Sequence, residues 1–586
     1  MESKKGTEKN DLLAWSLGIL LFSAADSGVA DMHNAEAVIP PQCYTKTEGK
    51  FNPCYICHQT HPKGSRRNVM NDGELQGEYS FSEVGETNHW ANLFHSRQAE
   101  IDSISHDQIL SYVREDNYSA LLQADSGGYV ADLLDYGNLA EAFDDMGFAR
   151  DGSGWVAFNY KPLPSTFWPT NGNFDDVIIR LPEAFRLNNT GETDNRLYLL
   201  NLSLVEMAIK QLDSISIPAT DEAAIGVDLD GDGVLQTVSQ MWARDQYLGQ
   251  AANVAVQPQQ YPIGTEFLHS LRYLDVDADG SIQPARRMKE LRYSRKYKPL
   301  SDVALRYAYN QEHREKLAGK LPTYSWQQPA PQAGMNNKLG WVIQGWIEDQ
   351  NGQLRLQNYE ENFFCMGCHT TTGTTIDNSF AFPRKVTGAA GWGYINLRGM
   401  ADVPNYSTDV TQSTGEYQQY LERVGGGDEF RQNREMIEKW FNRDGSLNKA
   451  AVAQADVYQL ITPSRERALA LNKAYQLIVR EQSFYLGRDA VLGEAVNVYQ
   501  HVDQDAVPLL PASRQFHYDL RLQWPTAVRQ VDTGNAGSSV TAADPQQNSQ
   551  SVSASAEAEN NTSSGGALGL LALWVLMAVA RCARRA

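Results

Sequence analysis

The chain reads CYICH at 54–58 and CMGCH at 365–369, so four of its six cysteines stand in two identical frames, each closed by histidine. No other feature constrains the backbone so tightly. Thiols three positions apart share one side of a single turn, and the histidine that follows leaves from the end of that turn. Each frame must therefore be a short helix or tight turn, with the rest of the chain assembled around it.

Three chemistries use such a pair. Thiolates from two pairs can complete a four-thiolate zinc site. One pair can act as a redox dithiol ahead of a helix. Neither needs a histidine directly after the second cysteine. Covalent haem does: the thiols add to its vinyl groups and the histidine lies under the iron. The expected cofactors are therefore two haem c groups, one on Cys54 and Cys57 with His58 on iron, the other on Cys365 and Cys368 with His369.

On these residues the chain resembles an exported dihaem c-type cytochrome. The resemblance covers the frames and their compartment, not the whole chain. Dihaem cytochrome c peroxidases also carry two such frames, but much closer together. The resemblance implies single-electron transfer in the periplasm or at the cell surface. Its alternative is a dihaem oxidoreductase, peroxidase-like or acting on a small organic substrate, with one open distal site. The implied partners are redox proteins or an external electron acceptor, and the cytochrome c maturation machinery. Whether the chain is an enzyme turns on the distal ligands. His89 and His95 are the expected candidates for the first iron, and His269 and Met400 for the second.

The two ends point to export. Lys4, Lys5 and Lys9 precede an apolar stretch from Leu12 to Ala25 and small residues through Ala30, the layout of a signal peptide over 1–30. At the other end, a Ser/Asn/Gln/Ala-rich tract over 529–564 reads as a disordered stalk. Gly565 and Gly566, an apolar run from Ala567 to Ala580, and Arg581, Arg584 and Arg585 follow. This tail, 565–586, resembles the GlyGly-CTERM sorting signals of Gram-negative bacteria. That implies a short transmembrane helix in the inner membrane, cleavage by a rhombosortase-type protease, and type II secretion. The formal net charge of −20, with no basic stripe, excludes nucleic acid as a partner.

Two loops, VDLDGDGVLQ at 227–236 and LDVDADGSIQ at 274–283, each carry three alternating aspartates and a glycine. Such oxygen clusters suit calcium. Asp228, Asp230 and Asp232 form one expected site, and Asp275, Asp277 and Asp279 the other. Both lack the glutamate that closes an EF-hand loop at its twelfth position, so further ligands must come from elsewhere. The flanks read as turns between extended segments.

Helical periodicity runs through RLYLLNLSLVEMAIKQL, SDVALRYAYNQEHREKLAG and PSRERALALNKAYQLIVREQ, while DDVIIRLP and LGWVIQGWI read as strands. The expected fold is mainly α and loop-rich, a multi-lobe cytochrome c-like body with minor β. Its expected divisions are a first haem lobe at 31–150, a calcium-bearing middle at 151–329 and a second haem lobe at 330–528.

Overall fold

Val, Ile and aromatic side chains favour a pleated, packed surface, and the segments richest in them form strands. A computed structural model describes residues 32–47, 49–58, 81–123, 131–164, 171–370, 372, 375–406, 414–424, 433–511 and 519–525. All of these fall within one unit, 1–527; the second, 528–586, contains no described residue. The expected signal peptide, stalk and sorting tail therefore lie outside the described residues.

The strands are β1 (Val156–Ala157), β2 (Phe174–Arg180), β3 (Ser214–Asp221), β4 (Thr237–Trp242), β5 (Glu266–Val276), β6 (Ile282–Lys296), β7 (Ser325–Trp326), β8 (Met335–Asn336), β9 (Trp341–Glu348) and β10 (Leu354–Leu356). Eight form one sheet in the order β1-β2-β5-β6-β9-β8-β7, with β10 beside β9, and β3 pairs with β4 separately. The long β5–β6 hairpin closes through the second aspartate-rich loop. There Asp277 N–H bonds the Ser281 carbonyl at 2.9 Å, and Gly280, at φ +84°, takes the left-handed turn.

Both sheet faces are covered. One carries Ile178, Leu268, Leu291 and Trp346, packed with Tyr118 and Trp155. The other meets the largest core, built on α2 and α4. The longer helices are α1 (His106–Arg114), α2 (Asn195–Lys210), α3 (Asp302–Leu317) and α4 (Arg465–Glu481). Asp194 caps α2 and Ser464 caps α4, each side chain accepting from the first-turn backbone. α2 is buried nearly all round, and its Lys210 ammonium is neutralised by Glu206 at 2.6 Å.

The mainly α, cytochrome c-like expectation is thus corrected: the fold is mixed α/β, organised by two sheets. The physical reason lies in β5 and β6. Arg272, Lys289 and Glu290 are buried there. Charges placed inside erase the alternation that marks a half-buried strand. The expected transmembrane helix of the tail lies outside the described residues. Among the described residues no helix is long and apolar enough to cross a membrane.

Candidate functional site

The two frames adopt one local geometry. Cys54–Cys57 is a single helical turn, and the His58 N–H returns to the Cys54 carbonyl at 2.8 Å. In the second frame, the helix Tyr359–Phe363, held by a capping box between Asn358 and Glu361, runs into the tighter turn Phe364–Gly367. The His369 N–H then returns to the Cys365 carbonyl at 3.1 Å. In both frames the first cysteine is buried and the second exposed.

Folding brings the frames together. Cys54 and Cys365 belong to one apolar cluster with Ala37, Ile39, Trp90 and Met366, and Cys43 packs at its edge. Trp90 stands edge-on to Phe364 at 5.4 Å and donates its indole N–H to the Ile39 carbonyl at 2.9 Å. Val38 lies against the second frame so closely that a Cβ on Gly367 would sit 2.1 Å from its carbonyl oxygen. Only glycine fits.

His369 is the best-oriented group of the site. Its Nδ1 lies 2.9 Å from the Asn378 carbonyl oxygen. A carbonyl only accepts, so Nδ1 carries the proton and Nε2 keeps its lone pair, the tautomer of a metal-ligating imidazole. Asn378 is fixed in turn by donating its side-chain amide to the Thr370 carbonyl, and Asn337 donates to the His369 carbonyl at 2.8 Å. Phe380 closes the ring edge-on at 5.5 Å. Desolvation holds the imidazole below its ordinary value, with the Asn378 bond opposing and Arg292 assisting.

The thiols are set against disulfide chemistry. Desolvation raises Cys365, with Arg292 opposing. Cys368 reaches the surface, yet the protein around its sulfur pushes it up to about 11, desolvation first and Cys365 second. Cys43 is raised by desolvation and then by Cys54, Cys57 and Cys368, so it stands within electrostatic reach of both frames. Neutral thiols are weak nucleophiles.

The sheet supplies a polar pair, His269 and Arg292, on neighbouring strands. Val177, His269, Arg292 and Gly345 lie side by side across β2, β5, β6 and β9. Arg292 bonds Glu290 at 2.9 Å, and its charge acts on Cys365. His269 lies within electrostatic reach of His369, and its Nε2 is 3.8 Å from Asp175 Oδ2. Tyr160 donates to that carboxylate at 2.8 Å.

Of the four expected distal ligands, His269 lies within electrostatic reach of a frame histidine. His89 turns Nε2 to the Val84 carbonyl at 3.1 Å, and His95 is exposed. Met400 packs in the larger core, away from the frame cluster. Arg292, Asn337, Asn378 and Asp175 escaped sequence reasoning. The one signal for Arg292 was the register of a hairpin closed at DVDADGS, which pairs it with His269.

The aspartate-rich loops differ. Glu222, Asp228 and Asp230 bring one carboxylate oxygen each within 4.8 Å of the others, the one such group of acidic, thiol or imidazole ligands among the described residues. Glu222 is fully buried and accepts the Asp230 and Gln236 N–H groups at 3.3 and 3.0 Å. Asp230 is pushed above its ordinary value by desolvation and then by Asp232, Glu222 and Asp228. Asp232 instead accepts from Val234 N–H at 2.7 Å. In the second loop Asp275 accepts from Arg114 at 2.9 Å, Asp277 from the Gln283 amide at 2.9 Å, and Asp279 from Ser281 N–H at 2.9 Å.

A family model described as ":-like lipoprotein" matches residues 27–459, which span both frames. An "Uncharacterized lipoprotein" of Aquifex aeolicus (strain VF5) is 32% identical over 537 residues, 80% of this chain and 90% of that protein. No solved structure matches. These likenesses, with the mixed α/β fold, overturn the resemblance to a dihaem c-type cytochrome with a sorting tail. The single-electron carrier and the dihaem oxidoreductase expected from that resemblance fall with it.

Proposed function

The chain belongs to this lipoprotein family, and on that premise we propose that it is an exported protein whose CxxCH frames hold a metal-bearing group, with His369 Nε2 on the metal. The observation that carries the reading is the Nδ1 proton of His369, committed to the Asn378 carbonyl at 2.9 Å. Among the described residues, no three thiols or imidazoles are close enough to share one bare ion. A group with its own framework, reached by thiols from two directions, fits them better. When bound it would supply a liganded metal centre. The chain's own part is to hold the group through cysteine, to fix one imidazole tautomer and to cover the site with Trp90, Phe364 and Phe380.

The test is metal analysis of the exported protein together with its intact mass under denaturing conditions. Stoichiometric metal, lost in His369→Ala, is the expected result. A mass excess that survives denaturation and vanishes in C365A/C368A identifies a thiol-attached group, haem c among them. Metal that departs on unfolding identifies a dissociable centre held by thiolates. Metal-free protein with unmodified cysteines overturns the reading.

Glu222, Asp228 and Asp230 support a second, structural reading: a calcium ion that would relieve the crowding of these carboxylates. Membership of a lipoprotein family is consistent with a periplasmic or surface-associated protein. We place the body in the periplasm or on the outer surface of a Gram-negative bacterium, with the apolar run 567–580 as a transient inner-membrane anchor. Cell fractionation of full-length and tail-deleted chains tests this.

A further inference from the structure

We infer that His269 presents a second imidazole to the group held at the second frame, with Asp175 as its positioning residue. This rests on the metal-bearing reading above. Three observations meet at this residue. The first is placement. His269 sits mid-strand in β5, paired with Val177 on one side and Arg292 on the other, so its backbone is fixed by ladders on both flanks. The Arg292 side chain beside it acts on Cys365, Cys368 and His369. Arg292 pairs with Gly345, and Ile343 on that same face of β9 packs in the apolar cluster of Cys365, so His269 lies on the sheet face turned toward the frame.

The second observation is convergence. His269 and His369 lie within electrostatic reach of each other, although one comes from the centre of a strand and the other from the turn of a CxxCH frame. His369 is held from behind by Asn378, so the two imidazoles approach from different elements of the fold. The third is the carboxylate. Asp175 Oδ2 is 3.8 Å from His269 Nε2 and is itself gripped by the Tyr160 hydroxyl at 2.8 Å. A carboxylate behind an imidazole fixes its tautomer and ring orientation, the usual support of a ligating histidine.

X-ray absorption on the metal of the full exported protein counts imidazole ligands directly. The wild type should show two, and His269→Phe one, with metal affinity lowered and any thiol-attached mass unchanged. Asp175→Asn should keep both imidazoles but broaden their distances and lower metal affinity by roughly tenfold. Circular dichroism of each variant separates a lost ligand from a lost fold. A wild-type count of one overturns the inference without needing any variant. So does an unchanged count in a folded H269F protein. Wild-type protein without metal overturns the underlying reading instead, and is told apart by metal analysis alone.

Discussion

The two frames share two cysteines, a histidine and one turn geometry, but the fold supports them differently. CYICH forms a single helical turn, with Cys57 exposed and His58 half-buried. CMGCH sits at the end of a capped helix, against Val38, with its histidine held by Asn378 and its neighbours reached by Arg292. A motif therefore specifies which atoms are offered. The fold decides how firmly they are aimed.

Substitutions can break that asymmetry. The largest effect is expected from C365A/C368A or H369A, which should abolish bound metal as read by elemental analysis. H58A should leave a measurable fraction if the second frame is the better organised. Next comes Gly367→Ala, where the new methyl meets the Val38 carbonyl at 2.1 Å. The expected cost is about 1–3 kcal/mol in chemical denaturation. Asn337→Ala removes the amide holding the His369 carbonyl, and should weaken metal binding by roughly tenfold without unfolding the chain.

A smaller effect concerns pH. Desolvation puts His269 and His369 below their ordinary value of 6.5 in the folded state. The unfolded chain then binds more protons than the folded one as pH drops through 6.5. Metal-free protein should therefore lose stability below that pH, by under about 1 kcal/mol per unit for each partly screened imidazole. H269F and H369Q should each flatten the slope, measured by denaturant unfolding from neutral pH to pH about 5.

The aspartate-rich loops repeat the lesson. The first recruits the buried Glu222, while the second spends Asp275 on Arg114. Calcium should raise the melting temperature by a few degrees through the first loop, an effect that D228N/D230N removes and D277N/D279N keeps. The smallest expected effect is none at all. Cys43 is preceded by the buried Ala37 and Ile39, so peptide mass spectrometry should find no lipid on its sulfur.

Much of the helical framework was legible. RLYLLNLSLVEMAIKQL, SDVALRYAYNQEHREKLAG and PSRERALALNKAYQLIVREQ are the helices 195–210, 302–317 and 465–481, because apolar period and capping residues agree there. DDVIIRLP and LGWVIQGWI are β2 and β9 for the same kind of local reason. IQPARRMKELRYSRK was not legible as the longest strand. Its charges are neutralised by partners far along the chain: Arg287 by Glu348 at 2.8 Å and Lys296 by Asp377. At the site, the thiols and His369 could be read from spacing alone. Asn378, Arg292 and Asp175 could not, since their roles exist only once sheet and frame meet.

Residues near the start of the described chain are clasped by residues near its end. Asn88 donates to the Tyr499 carbonyl, 411 positions away, and Thr45 and Thr87 bridge to Val498 and His501. A polypeptide that crosses a membrane with its amino terminus leading would show its first cysteines to any modifying enzyme long before that clasp could shut. Closure must await nearly the whole length of the chain, so assembly should be slow and late. A chain cut short before Val498 would deliver the reactive thiols without the walls meant to surround them.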